Sequence, residues 1–151
     1  MAELLSQYSA EKVTELISVV KTNRNAVIVM DSDKRGRNSR LNDTKKRIIQ
    51  EFDDLGMMSW VTKGKEIENY IPKEAIEEAL GISLNEQCGQ YELFPGYIET
   101  YYRGFVGKKV KFARSVVEHM TLENMAGMLD VKKQVMELGK RISDWNGEGC
   151  S

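Results

Sequence analysis

Apolar residues recur along this chain with two different periods, and the changes of period mark its elements. Val13, Leu16, Ile17 and Val20 return at helical spacing. Ser9 suits an N-cap before them and Glu11 a first turn, so an amphipathic helix is predicted over residues 10–22. Thr22 to Asn25 reads as a turn. Ala26-Val-Ile-Val-Met30 is a short continuous apolar run, rich in β-branched residues, which predicts a strand buried on both faces of a parallel sheet. Gly36, Asn38 and Asn42 give the next segment turn character. Ile48, Ile49, Phe52 and Leu55 form the inner stripe of a helix that Gly56 ends, and Met58-Ser-Trp-Val-Thr62 predicts a second strand. The order is one β-α-β unit behind an initial helix, hence an α/β layered fold.

Downstream, Pro72 stands where a first helical residue tolerates proline, and Gly81 where a helix ends, with Ile76, Ala79 and Leu80 as its buried stripe. Ser83-Leu-Asn-Glu86 has the form of a capping box. Residues 91–105 crowd Tyr91, Phe94, Tyr97, Tyr101, Tyr102 and Phe105 around Pro95, Gly96 and Gly104, and read as irregular. Val110, Ala113, Val116, Val117 and Met120 predict another helix, which Thr121 follows as a cap for the next. Val131, Val135, Leu138, Ile142 and Trp145 stripe the last helix. Trp60, Trp145, Met57, Met120 and Met136 are expected to be packing residues, and Asn146 to Ser151 a frayed tail.

Composition narrows the class without changing the fold. An apolar content of 41% and a charged content of 30% fit a soluble globular domain. No apolar run is long enough to cross a membrane, and the N-terminus lacks the basic start and apolar core of a signal peptide. Cys88 and Cys150 lie far apart with no C-x-x-C, so a zinc site or disulfide scaffold is not expected and a cytoplasmic setting is. The formal net charge is −1, but the charges are segregated. Residues 34–47 carry Lys34, Arg35, Arg37, Arg40, Lys45, Lys46 and Arg47 against Asp43 alone. Residues 100–117 carry Arg103, Lys108, Lys109, Lys111 and Arg114 with no acid, and residues 66–86 are acidic. Such runs are ordinary as solvated helix faces, yet they also bind phosphates. Lys34, Arg35, Arg37, Arg40 and Lys108 are therefore candidate nucleic-acid contacts.

The candidate chemistry sits at the strand ends. Carboxylates leaving a buried strand must be solvated, paired or bound to a cation. Asp31-Ser-Asp33 at the end of the first strand thus reads as a Mg²⁺ site, its two side chains able to share one side of an extended backbone. In a parallel sheet Glu66 and Glu68, after the second strand, lie on the same edge. The competing role for either glutamate is to cap the helix starting near Pro72. Lys109 and Lys111 open an apolar-periodic helix, where an ammonium would stabilise charge on a phosphoryl group. His119 is alone, so no catalytic triad is implied, and no P-loop or G-x-G-x-x-G motif occurs.

Ala26-Val-Ile-Val-Met-Asp31-Ser-Asp33, followed by Trp60-Val-Thr-Lys-Gly-Lys-Glu-Ile-Glu68-Asn-Tyr-Ile-Pro72, resembles the Toprim domain of overcoming-lysogenization-defect (OLD) nucleases. Lys109-Val-Lys-Phe-Ala113 is similar to the late lysine motif of that family. The resemblance spans residues 25–120 and implies an incomplete Toprim-like (Rossmann-like) parallel sheet with flanking helices and a helical C-terminal portion. It divides one domain into a helical lead-in (1–24), a metal-binding core (25–120) and a C-terminal helix and tail (121–151). It implies Asp31, Asp33 and Glu66 at a Mg²⁺ or Mn²⁺ ion, Glu68 as the acid of the Glu-Asn-Tyr element, and Lys109, with Lys111 in reserve, as the catalytic lysine. The activity implied is DNA cleavage or nicking, often in phage defence, with an ABC-type ATPase N-terminal to the nuclease and DNA, that ATPase and a second copy of the chain as partners. A complete Toprim fold begins with a strand bearing a Glu-Gly element, whereas residues 1–30 here contain only a helix before the Asp31 strand. The chain is thus expected to be the C-terminal part of a larger nuclease. Two other readings remain open. One is a non-catalytic module that binds nucleic acid or a partner subunit. The other is a haloacid-dehalogenase-type phosphatase, in which a Thr or Val typically stands two residues after the second aspartate, where this chain continues Lys34-Arg35.

Overall fold

A computed structural model describes residues 10–147. The expected Ser9 cap, Cys150 and the tail beyond residue 147 lie outside the described residues. The order is α1 (Ala10–Thr22), β1 (Val27–Met30), α2 (Asp43–Asp54), β2 (Met58–Val61), a 3₁₀ turn (Ile67–Tyr70), α3 (Lys73–Leu80), α4 (Phe94–Glu99), α5 (Phe105–Val117), α6 (Leu122–Met125) and α7 (Val131–Trp145). β1 and β2 pair in parallel, with Val27 opposite Met58 and Met30 opposite Val61. Parallel strands need a crossover, and α2 supplies it. Asn42 starts α2 by accepting the Lys45 N–H at 2.8 Å, and Gly56, at φ 70°, turns the chain out of it.

Side chains alternate across the two strands, so each face finds its own layer. Ile28, Met30 and Val61 face α1 and α2, in a core with Val13, Ile17, Ile48, Phe52 and Met57. Val27, Met58 and Trp60 face Tyr70, Met125, Met128, Val131 and Leu138. A third core joins α3, α4 and α5 through Ile76, Phe94, Ile98, Phe105, Phe112 and Val116. Its rings meet edge to face, Phe105 and Phe112 at 5.1 Å between centroids and 89° between planes. No helix among the described residues is long and apolar enough to cross a membrane.

Several expectations are corrected. Among the described residues the sheet has two strands, and Val29 of β1 is 49% exposed rather than buried. Leu55 caps the end of α2 instead of joining its stripe and is also exposed. The aromatic-rich segment is not irregular throughout: Phe94 to Glu99 is helical, with Phe94, Tyr97 and Ile98 buried. Ser83 to Glu86 starts no helix. Leu84 is buried there, and its N–H donates to Glu77 Oε1 at 2.7 Å, which fastens the segment against α3.

α5 is rotated relative to its valine stripe. Phe105, Phe112 and Val116 are buried, while Val110 is 67% and Val117 59% exposed. Two phenylalanines remove more apolar area from water than the valine and alanine positions can, so they set the inward face. α7 touches the sheet chiefly through Val131 and Leu138. Val135, Met136 and Ile142 are exposed, and Trp145 is half-buried rather than a core residue. Two truncations test this inward face. Phe112→Ala is expected to lower unfolding stability by about 3–5 kcal/mol. Val110→Ala is expected to change it by less than about 0.5 kcal/mol. Urea denaturation of both variants checks the assignment, and equal losses would contradict it.

Candidate metal centre

Where β1 and β2 end, the backbone stays buried and its polar groups find short-range partners. Ser32 donates its N–H to Thr62 Oγ1 at 2.8 Å and its hydroxyl to the Gly64 carbonyl at 2.6 Å. The Thr62 N–H donates back to the Met30 carbonyl at 2.9 Å. Gly64 is needed here because a Cβ would stand 2.8 Å from Asn69 Cβ and 3.1 Å from the Gln90 carbonyl oxygen. These bonds lock the two strand ends together and fix the directions in which the chain leaves them.

Asp31 and Asp33 leave this knot in different directions. Asp31 Oδ1 accepts the Ile67 N–H at 2.8 Å, at the start of the 3₁₀ turn. Asp33 sits at φ 54°, a left-handed conformation that ends the extended alternation, with its N–H on the Lys65 carbonyl at 2.9 Å. Its carboxylate pairs with Lys45 of α2, which also donates to the Asp31 carbonyl at 2.6 Å. The two aspartates are therefore not side by side on an extended strand. Lys45 is only 2% exposed, although it lies in the basic run read as solvated. The signal that could have found it is its position three and seven residues before Ile48 and Phe52, on the apolar face of the helix.

The Glu66-Ile-Glu-Asn-Tyr70 segment alternates its duties. Asn69, 1% exposed, accepts the Glu66 N–H at 2.7 Å and donates to the Gly89 and Glu92 carbonyls, both at 3.0 Å. The Tyr70 hydroxyl accepts the Lys63 N–H at 2.8 Å, donates to Asp130 at the start of α7, and meets the Trp60 indole N–H at 3.3 Å. Glu68 points instead to Lys109 of α5, 3.8 Å from Nζ to Oε1. Glu66 Oε2 accepts the Phe94 N–H at 3.0 Å. It is thus a cap, as the competing reading allowed, but for α4 and not for the helix after Pro72.

These groups share one field. Burial pushes the Asp31 carboxyl above its ordinary 3.8; the Ile67 N–H opposes that, and Glu68 and Asp33 add to it. Burial likewise raises Glu66 above 4.5, against the Phe94 N–H, with Glu68 and Asp31 raising it further and Lys109 lowering it. Mutually repelling carboxylates with hard oxygen donors suit a Mg²⁺ or Mn²⁺ ion in kind. Among the described residues no three acidic, histidine or cysteine groups are arranged to hold a metal by themselves. A partial donor set is still compatible with Mg²⁺, which usually takes one or two carboxylates and keeps several waters.

The remaining candidates separate. Lys109 pairs with Glu68, whereas Lys111 is exposed; both line one surface groove with Val106, Val110 and Arg114. Arg35, Arg37 and Arg40 are exposed, and Lys34 half-buried, on the loop after Asp33. Lys108 lies at a break in α5, where it donates to the Arg103 carbonyl at 3.0 Å and sits 5.4 Å over the Tyr102 ring. His119 is apart from all of these, 3.4 Å from Glu78.

A carboxyl whose folded value is raised opposes folding once it ionises. The cost is absent below 3.8 and grows as pH climbs from there through the folded-state value. Asp31→Asn keeps an oxygen for the Ile67 N–H and removes that charge. The variant is expected to melt higher than the parent at pH 7, with the difference shrinking as pH falls towards 4, as read by circular dichroism. A lower melting temperature at pH 7 would contradict this field. No protein-family model, curated protein or solved structure matches the chain.

Proposed function

We propose that this chain is the metal-binding, C-terminal Toprim portion of an OLD-type DNA endonuclease, hydrolysing phosphodiester bonds in the cytoplasm with an N-terminal ATPase portion, in phage defence. One observation carries the reading: Asp31, Glu66, Glu68 and Lys109, from three separate segments, meet at the carboxyl end of two parallel strands and sense each other's charge. Ligand sites of open parallel sheets lie at that edge.

Asp31 and Glu68, with Glu66 beside them, are the groups that would hold Mg²⁺ or Mn²⁺. The ion would supply charge neutralisation at the phosphate and an acidified water. Asp31 is oriented by the Ile67 N–H, which fixes Oδ1, and Oδ2 has no hydrogen-bond partner among the described residues. The Lys109–Glu68 separation of 3.8 Å is too long for a tight hydrogen bond, so the ammonium can serve a phosphate oxygen. Arg35, Arg37 and Arg40 are exposed on the adjoining loop and would supply sequence-independent contacts to a polyanion.

A second reading, a non-catalytic module that binds nucleic acid, is favoured by one observation: Asp33 is committed to Lys45 and no finished three-group cage exists among the described residues. It calls for salt-sensitive DNA binding that needs no divalent ion. Supercoiled plasmid incubated with Mn²⁺ or Mg²⁺ separates the two. Nicking is expected for the parent and none for Asp31→Ala. Lys109→Ala is expected to lose about 10²–10³ in rate, as for removal of one charge-stabilising donor. Lys111→Ala should stay within about twofold, because its side chain lies outside the cluster. Equal nicking by the parent and by the Asp31 and Lys109 variants would reject the nuclease reading. DNA binding without any cleavage, unchanged by a chelator, would favour the second.

A further inference from the structure

Asp33 already holds a cation, and that cation belongs to the chain. Lys45 Nζ lies between the Asp31 carbonyl and the Asp33 carboxylate, and its side chain is 3% exposed against 36% for Asp33. An ammonium so deeply placed needs a counter-charge, and removing one partner of such a pair is costly. Its backbone position is not adjustable either. The Lys45 N–H donates to the Asn42 cap, and the same helix face carries Ile48 and Phe52 into the core. The stem therefore cannot swing away without disturbing the start of α2.

The charges divide accordingly. Asp33 is paired directly with Lys45, whose charge also reaches Asp31, while Glu66 and Glu68 lie in the field of Lys109 and repel Asp31. We propose that Lys45 is a tethered counter-ion that excludes Asp33 from the metal-ligand set, so that this chain binds a divalent ion through Asp31 and Glu68 with Asp33 held in reserve. The inference rests on the divalent-metal reading of the site. Lys45 is here a positioning residue: it touches two oxygens of the Asp31–Asp33 loop and neither substrate nor ion. A lysine bridging a carbonyl and a carboxylate sets how many anions are free, and thereby how strongly the cluster attracts a cation.

The test is calorimetric titration with Mn²⁺ alone, which needs no DNA and no turnover. Lys45→Met keeps the length of the stem and removes the charge. It is expected to bind Mn²⁺ at least about tenfold more tightly than the parent, because a free Asp33 joins the cluster. The double variant Lys45→Met/Asp33→Asn should return to within about threefold of the parent, since the gain runs through Asp33. Lys45→Gln, which retains an N–H donor for both oxygens, carries the same expectation if circular dichroism finds the methionine variant unfolded. A folded Lys45 variant that binds Mn²⁺ no more tightly than the parent overturns this inference and leaves the metal reading intact. So does a double variant as tight as the single one. Absence of Mn²⁺ binding in the parent and in the Lys45 variants alike overturns the metal reading and this inference with it.

Discussion

At the carboxyl ends of β1 and β2 the ladder stops while the chain remains buried, so the amide and carbonyl groups of residues 30–64 nearest the sheet need partners other than water. Ser32 and Thr62 supply them with two hydroxyls and one shared carbonyl, that of Gly64. The candidate site hangs from this arrangement. It brings residue 31 to the start of the 3₁₀ turn and places Gly64 against Asn69 without room for a side chain. Asn69 then carries the same logic outward. It satisfies the Gly89 and Glu92 carbonyls, and so brings the loop before α4 close enough for Glu66 to cap that helix.

Two lysines meet the resulting anions in opposite ways. Lys45 is buried, bonded and fixed by its helix; Lys109 is 41% exposed at the side chain and loosely paired with Glu68. A cation of the first sort organises the fold around it, and one of the second sort remains available to a ligand. The carboxylates between them repel one another, which lowers stability and leaves an attraction for positive charge unspent. Sites that bind or catalyse commonly sit at such unfavourable spots, and proteins tolerate them because the surrounding cores supply the difference.

Much of this was legible from residue order alone, and the failures have physical causes. α1 and α2 could be read from apolar spacing, because each presents one face to one layer, and both strands from short apolar runs, because a layer packs on each face. Asp31, Glu66 and Glu68 could be grouped since parallel strands must end on the same edge. Lys45 was missed because charge alone marked it as surface, although its helical phase placed it inside. The stripes of α5 and α7 hold in part: Val116, Val131 and Leu138 turn inward, while Val110, Val117, Val135 and Ile142 are exposed, and on α5 Phe105 and Phe112 take the core positions instead. The left-handed turn at Asp33 left no mark, since aspartate adopts that conformation without the glycine that usually announces it.

The Glu-Asn-Tyr run has a consequence for genetics. Glu68 faces the cluster, while Asn69 and Tyr70, its immediate neighbours, are buried and tie together segments as distant as Lys63, Gly89 and Asp130. A screen that scores only loss of function would return all three positions with equal weight and present them as one catalytic motif. Protein abundance in the same cells would split them: Asn69 and Tyr70 alleles would be depleted, whereas Glu68 alleles would persist and, on the proposed nuclease reading, be inert.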